Sequence, residues 1–554
     1  VAASGELKGD AAGTPVWKVR LASALRWLLP ASLVVLVLAT FRDYGYSWDE
    51  TWQNRWYGQA VLRFIASLGQ DRSATHTHNF YLYGGSFDAA AELLVALSPL
   101  EPRNARHLAN AVAGLAGAAG CWAIARRLGG RAAGAWGAAF LLACAPWYGH
   151  MFMNAKDIPF AAGYAWSLYW TLRLVEQLPC PSLKTSLVLG IVLGLTLGVR
   201  VGGVLLLGYL GLIALAWLLH GRLREGWGWS LVMNRAGRLA AAGLVIVASA
   251  WPLMVAAWPA ALLHPLAIPL EALRASSRFP WVGQLLWNGR EVWSNHLPWS
   301  YLPVVYGVQV PEVVALLFVG TIAWGGWQCV QRGPAAPSTA ILLLSVLFPV
   351  VWAVAAGSTI YDNGRHFLFV LPPLAALAGI AWVRLLAAAR DRLRRLSVVL
   401  SAAMLAALAS AGARMASLHP YEYTYLNAFA GGMPEGARRF DTDYWITSYR
   451  EASTAMLRHA AGAAEAVGRP FASIPFSVAV VGPPESLLEF LPPNFTVLPM
   501  RPDVRADYLI ATTRWNSDAA WPDWQEVATV GRADMRFAVV KASPDLARAG
   551  ALGR

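Results

Sequence analysis

The chain has 554 residues, of which 57% are hydrophobic and only 14% charged, with a mean hydropathy of +0.43. Soluble globular chains run near a quarter charged, so this composition excludes a soluble domain; the 27 Trp and 19 Phe exclude disorder, and the long unbroken apolar runs exclude a β-barrel. A net charge of +13 could suggest nucleic acid, but the basic residues stand between apolar runs, which fits orientation on a membrane instead.

A bilayer-crossing helix needs roughly 20 mostly apolar residues. Residues 1–21 read as a cytoplasmic N-terminal segment. Apolar stretches follow at about 22–40, 107–125, 132–150, 158–175, 185–199, 201–220, 239–258, 312–330, 339–356, 367–383 and 396–413. They predict an all-α polytopic domain over 22–413 with about eleven transmembrane helices. The first apolar run, Leu28 to Thr40, follows Lys18, Arg20 and Arg26, but Phe41-Arg42-Asp43 stands where a small-x-small cleavage site would be needed. It reads as an uncleaved span.

Alternating the connections sorts the charges. One side collects Lys8, Lys18, Arg20, Arg126, Arg127, Arg131, Lys184, Arg222, Arg224, Arg235, Arg238, Arg332, Arg384, Arg390, Arg392, Arg394 and Arg395. These short basic loops mark the cytoplasmic side. The other side receives large loops at 41–106 and 259–311 and the tail 414–554. In the first loop, Trp56 to Ile65 has the pattern of a helix lying in the interface. The second holds Trp281, Trp287, Trp293 and Trp299, as expected near lipid headgroups. The tail offers a polar helical stretch near 448–467 and short apolar runs at 476–481, 508–512 and 537–540 between turn residues. That pattern predicts a small extracytoplasmic α/β domain. The four cysteines, Cys121, Cys144, Cys180 and Cys329, show neither metal nor disulfide spacing. The alanine- and arginine-rich usage suits a multi-pass protein of a bacterial inner membrane.

Ionisable residues at membrane depth are costly and point to function. Under this topology four hairpin ends bring such residues to one outer level: Asp49 and Glu50, Lys156 and Asp157, Arg200, and Arg365 with His366. Each has a plain structural reading. Asp49 and Glu50 could be a solvated acidic pair, Asp157 could cap its helix beside Lys156, and Arg200 could snorkel. Arg365 runs against the positive-inside trend and favours function. His76 and His78 could ligate metal, but two histidines are not a site, and an interfacial loop is the better reading. Acids and cations at the outer lip of a helical membrane domain suit glycosyl transfer from a lipid-phosphate sugar. Departure of the phosphate builds negative charge that Lys and Arg stabilise. A carboxylate on the other face of the sugar accepts the proton of the attacking hydroxyl.

At these residues the chain resembles the GT-C membrane glycosyltransferases of the protein O-mannosyltransferase-like group and, more distantly, the aminoarabinose transferases that modify lipid A. The resemblance rests on Asp49-Glu50 in a long first outer loop, the acidic turn at Asp157, and Arg365-His366-Phe367-Leu368-Phe369-Val370-Leu371-Pro372-Pro373 before a late span. It implies an inverting hexosyl or pentosyl transfer from a polyprenyl-phosphate-linked donor on the extracytoplasmic face. Asp49 and Asp157 would be the catalytic carboxylates, with Asp49 as base and Asp157 orienting Lys156 or the donor sugar. Lys156, Arg200, Arg365 and His366 would bind the donor, and Glu50, Arg55, His76 and His78 are accessory candidates. The acceptor stays open among lipid, glycan and protein, the surrounding partners are membrane lipids, and no nucleic acid is implied. No cofactor is required, and a divalent metal is left open. The β-trefoil module of the eukaryotic enzymes and the Lys-Pro-Pro element of the aminoarabinose type are not seen in the sequence.

Two other classes compete. An O-antigen-ligase-like transferase would use a lipid diphosphate donor and place less weight on a first-loop Asp. A lipid or polysaccharide transporter usually shows inverted repeats and polar groups at the midplane, whereas here they gather at one surface. The topology has a direct check: on a background without native cysteines, an impermeant thiol reagent applied to intact cells should label Asn516→Cys and leave Arg392→Cys unlabelled. The reverse pattern contradicts the charge sorting.

Overall fold

The computed structural model describes residues 30–277 and 279–546, without the side chains of Asn54, Arg55 and Ser277. It divides into two units, one ending at Asp43 and one beginning at Tyr44. In the first, α1 (Pro30–Thr40) is the described part of the expected span 22–40. The segment 1–21, with Lys8, Lys18 and Arg20, lies outside the described residues.

The second unit is helical through most of its length: α2 (Pro102–Leu142), α3 (Asp157–Val175), α4 (Leu183–Leu197), α5 (Val204–Arg224), α6 (Trp229–Ala256), α7 (Glu312–Gln331), α8 (Ala336–Ala355), α9 (Leu371–Arg392) and α10 (Arg394–Leu418). Two expected spans share α2, which breaks at Gly130, where φ is 85°. The stretch expected to be one helix over 132–150 is not continuous. It stops at Leu142, Cys144 is extended, and a separate short helix runs over Ala145–His150. Pro146 explains the break, because it has no N–H to donate back to the preceding turn and its ring crowds that turn, whereas the first turn of a new helix tolerates it. Among the described residues, seven helices are long and apolar enough to cross a membrane, while α1 and α4 are shorter apolar helices. Leu215, Leu244, Val319, Val351 and Leu405 point outward, which costs nothing against lipid tails. Inside, backbones approach closely: a side chain on Gly379 of α9 would meet the Ala133 carbonyl of α2 at 2.4 Å.

The segments expected on the outer side carry much of the packing around the site. The run 48–66 is helical, and Tyr57, Ala60, Val61 and Phe64 turn inward onto Ala74 and Phe80. The 259–311 region holds short helices and a hairpin, β1 (Gln284–Trp287) with β2 (Arg290–Trp293). Its tryptophans are not one belt. Trp281 stacks on Tyr361 at 4.4 Å and Trp287 on Tyr301 at 5.3 Å, while Trp293 and Trp299 are exposed.

The tail contains α11 (Tyr449–Ala466) and a mixed sheet of β3 (Phe476–Val480), β4 (Phe495–Pro499), β5 (Tyr508–Thr512), β6 (Gln525–Arg532) and β7 (Met535–Ala542), in the order β4-β3-β5-β7-β6. Strands β4, β3 and β5 are parallel, and β7 runs antiparallel to β5 and β6. Strand side chains alternate faces. Val478, Val480, Ile510 and Val540 accordingly pack with Tyr449, Ala452 and Met456 of α11, while Ala479, Leu509, Ala511 and Val539 form the core of the other face. The first of these cores also takes in Met415 and Leu418 of α10 and Ala145, so the sheet is tied to the helical region.

Candidate active site

Local sequence fixes each site residue. Ser47 and Glu50 form a reciprocal capping box, with the Ser47 N–H donating to Glu50 Oε2 at 2.7 Å, and so start the helical turn that carries Asp49. Asn154 Oδ1 accepts from the Lys156 and Asp157 N–H groups at 3.2 and 2.8 Å and starts α3 there. Arg200 is an extended residue between α4 and α5. Just before it, Gly198 offers its carbonyl to the Ser86 N–H at 3.0 Å. A Cβ on Gly84 would lie 2.0 Å from that same oxygen, so only glycine lets Tyr83 come this close to Arg200. Asp362, Asn363 and Gly364 are all left-handed, with φ of 51°, 52° and 69°, and this turn delivers Arg365. Asp, Asn and Gly are the residues that tolerate that conformation best.

Arg365 is buried at the centre. Its guanidinium meets Asp49 at 3.0 Å, Asp157 at 2.8 Å and Asp362 at 3.2 Å, and lies 4.9 Å from the Trp445 ring. Arg200 pairs with the other oxygen of Asp157. Lys156 Nζ is 3.6 Å from Asp49 and lies over the rings of Phe80 and Tyr83. Arg514, from the tail, meets Asp362 at 2.9 Å. Three carboxylates therefore share four cations, leaving the cluster one positive charge in excess. Burial alone would raise the Asp49 pKa, but Lys156 and Arg365 outweigh it and hold the carboxyl below its usual range. Its side chain stays 24% exposed, against 1% for Asp157.

That opening leads into a cavity of about 250 Å³ lined by Asp49, Lys156, Arg200, Asp362, Arg365 and Arg514 and walled by Trp48, Trp52, Trp281 and Trp445. A second space of similar volume continues from it through Tyr83, Arg200, Tyr361 and His366. It runs between apolar groups, including Phe160, Val204, Leu205, Pro349, Trp352 and Phe369. A charged chamber and an apolar groove thus meet at Arg200 and His366.

The sequence-derived candidates separate in this geometry. Asp49, Lys156, Arg200, Arg365, His366 and His78 line the cavity, and Asp157 does not. Neighbours in sequence are not partners here: Lys156 turns to Asp49 while Asp157 holds Arg200 and Arg365, rather than Asp157 orienting Lys156. Lys156 precedes α3 and Asp157 is its first residue, and the two side chains leave the backbone in different directions toward different neighbours. Glu50 is buried on His107 at 3.0 Å, away from the cavity. His76 is exposed and does not line it, while His78 meets Trp52 edge-to-face at the rim of the cavity. The Arg55 side chain lies outside the described residues. Among the described residues no group of three or more His, Cys, Asp or Glu is arranged to hold a metal ion. Sequence reading missed Asp362 and Arg514. The Asp-Asn-Gly turn was a signal for the first; nothing near Arg514 announces its partner 152 residues away.

Residues 93–252 match the family described as dolichyl-phosphate-mannose-protein mannosyltransferase. No curated protein matches the sequence. Among solved structures, ArnT of Cupriavidus metallidurans in the apo state is similar at 16% identity with a TM-score of 0.50, over 95% of this chain and 99% of that one. The same ArnT bound to undecaprenyl phosphate is similar at 15% identity and a TM-score of 0.49, over 94% and 98%. The oligosaccharyltransferase AglB of Archaeoglobus fulgidus, in complex with an inhibitory peptide and a dolichol-phosphate, is similar at 12% identity and 0.46, over 90% and 71%. The chain is an integral membrane protein with the GT-C fold of ArnT, and fold and family match together indicate a glycosyltransferase.

The central guanidinium has a measurable stability consequence. A lysine at 365 cannot meet three carboxylates, and a buried carboxylate left unpaired costs about 3–5 kcal/mol. Arg365→Lys should therefore lower the thermal unfolding midpoint in detergent much more than Arg200→Lys, since Arg200 pairs with one carboxylate. Equal shifts would show that Arg365 is not the hub.

Proposed function

We propose that the chain transfers a sugar from a polyprenyl-phosphate donor to an acceptor on the extracytoplasmic face of the membrane, with inversion at the anomeric carbon. One observation carries this reading: a buried cluster with one excess positive charge opens onto an apolar groove at Arg200 and His366. A lipid phosphate monoester or diester has the complementary form, an anionic head on a hydrocarbon chain. ArnT, whose fold this chain shares, binds undecaprenyl phosphate, and the same class of donor fits here.

The polyprenyl chain lies in the groove between Phe160, Leu205 and Trp352, and the phosphate meets Arg200, Lys156 and Arg365. As the bond between anomeric carbon and phosphate oxygen breaks, negative charge grows on the phosphate, and fixed cations in a water-poor site stabilise it. Asp49, the carboxylate open to the cavity, accepts the proton of the acceptor hydroxyl as that oxygen attacks. In the unliganded state Lys156 and Arg365 hold Asp49 at low basicity. A phosphate that shares those two cations weakens their hold and makes Asp49 a better base once the donor is in place. Asp157 acts on Arg200 and Arg365 rather than on the substrate. The tryptophan walls offer flat faces for sugar rings.

Two carboxamide variants separate these roles. Asp49→Asn should cut turnover by roughly 10²–10⁴-fold, the usual contribution of a general base, while donor affinity survives. Asp157→Asn should weaken donor affinity as well as turnover. Release of free polyprenyl phosphate, measured beside donor binding with a panel of polyprenyl-phosphate sugars, decides the matter. Near-normal turnover in Asp49→Asn removes it as base.

A further inference from the structure

We infer that Arg514, supplied by the tail, is a positioning residue for the donor-phosphate site: it occupies Asp362 and so keeps that carboxylate from drawing Arg365 away from the cavity. The inference rests on the proposed donor site and goes beyond it by giving the extracytoplasmic sheet a part in donor binding.

Asp362 bridges two guanidiniums. Its Oδ2 accepts from Arg365 Nε at 3.2 Å and its Oδ1 from Arg514 Nη2 at 2.9 Å. Arg514 is itself held on several sides. Its Nη1 donates to the Tyr444 carbonyl at 2.9 Å, its N–H to Thr512 Oγ1 at the end of β5, and its guanidinium packs on Trp515 and Trp281. The two residues after it, Trp515 and Asn516, are left-handed without being glycine. The Trp515 indole fastens the turn across to the Gln284 carbonyl at 3.0 Å. Strained backbone of this kind persists where the surroundings over-determine it.

The effect on Arg365 follows from charge. With Arg514 present, three carboxylates are shared by four cations. Without it the excess charge vanishes and Asp362 has Arg365 as its one remaining cationic partner in the cluster. The guanidinium is then drawn toward Asp362, away from Asp49 and Asp157 and from the phosphate. Neutralising Asp362 as well restores both the excess charge and the position of Arg365. Had Arg514 touched the phosphate directly, that second change would leave its lost contact unreplaced and recovery would stay small.

The test measures the affinity of the full-length protein in detergent for a polyprenyl phosphate without sugar. Arg514→Met should weaken Kd roughly 10- to 100-fold, about 1.4–2.8 kcal/mol. Arg514→Met with Asp362→Asn should recover most of that loss, and Arg514→Lys should lie between. Unchanged affinity in Arg514→Met, or no recovery in the double variant, overturns the inference while leaving the donor site intact. Failure of the unsubstituted protein to bind the lipid phosphate overturns the donor site itself, and this inference with it.

Discussion

A guanidinium buried among three carboxylates is the constraint on which the rest of this structure depends. Charges taken out of water cost several kcal/mol each unless paired with good geometry. Arg365 and Asp157 are both almost fully buried, so neither tolerates a missing partner. That requirement explains features far apart in the chain: the left-handed Asp-Asn-Gly turn, the Asn154 turn that starts α3, the glycine contact between Gly84 and Gly198, and an arginine delivered from the end of β5. Planar guanidinium, with donors in several directions, meets this arrangement in a way that an ammonium does not.

Pairing the charges in this way also sets their reactivity. The cluster is nearly but not wholly neutral, and its least buried carboxylate is Asp49. An anion that enters from the groove completes the balance, and it competes with Asp49 for Lys156 and Arg365. In the proposed function, donor capture and base activation are two sides of one electrostatic exchange. The apolar groove contributes the other half of recognition, since its walls suit a hydrocarbon chain and reject a free phosphate's hydration shell.

Much of this was legible in the sequence. Apolar runs of bilayer length marked the helices, because backbone groups in lipid must be satisfied within one element. The strands β3, β5 and β7 were visible as short apolar runs between turn residues. Asp49, Lys156, Arg200, Arg365 and His366 stood out because charge beside an apolar span is expensive, and the fold brings all five to one cavity. What could not be read was pairing. Lys156 and Asp157 look like partners and are not, because Lys156 stands before α3 and turns to Asp49 while Asp157 opens the helix and holds Arg200 and Arg365. Glu50, beside Asp49, is spent on His107 instead of the cavity. Arg514 lies far from Asp362 in sequence, and its contact with Asp362 exists only through tertiary packing of the tail. The break of the 132–150 stretch at Cys144 is signalled by Pro146, a single residue within an otherwise continuous apolar run.

The proposed function requires that the excess positive charge and the apolar groove form one site for one lipid phosphate. An experimental structure of the protein with a bound polyprenyl phosphate tests it most directly. The phosphate should lie within hydrogen-bond reach of Arg200 and Arg365, with the chain between Phe160, Leu205 and Trp352. A phosphate held elsewhere, with Arg365 still enclosed by its three carboxylates, would contradict it.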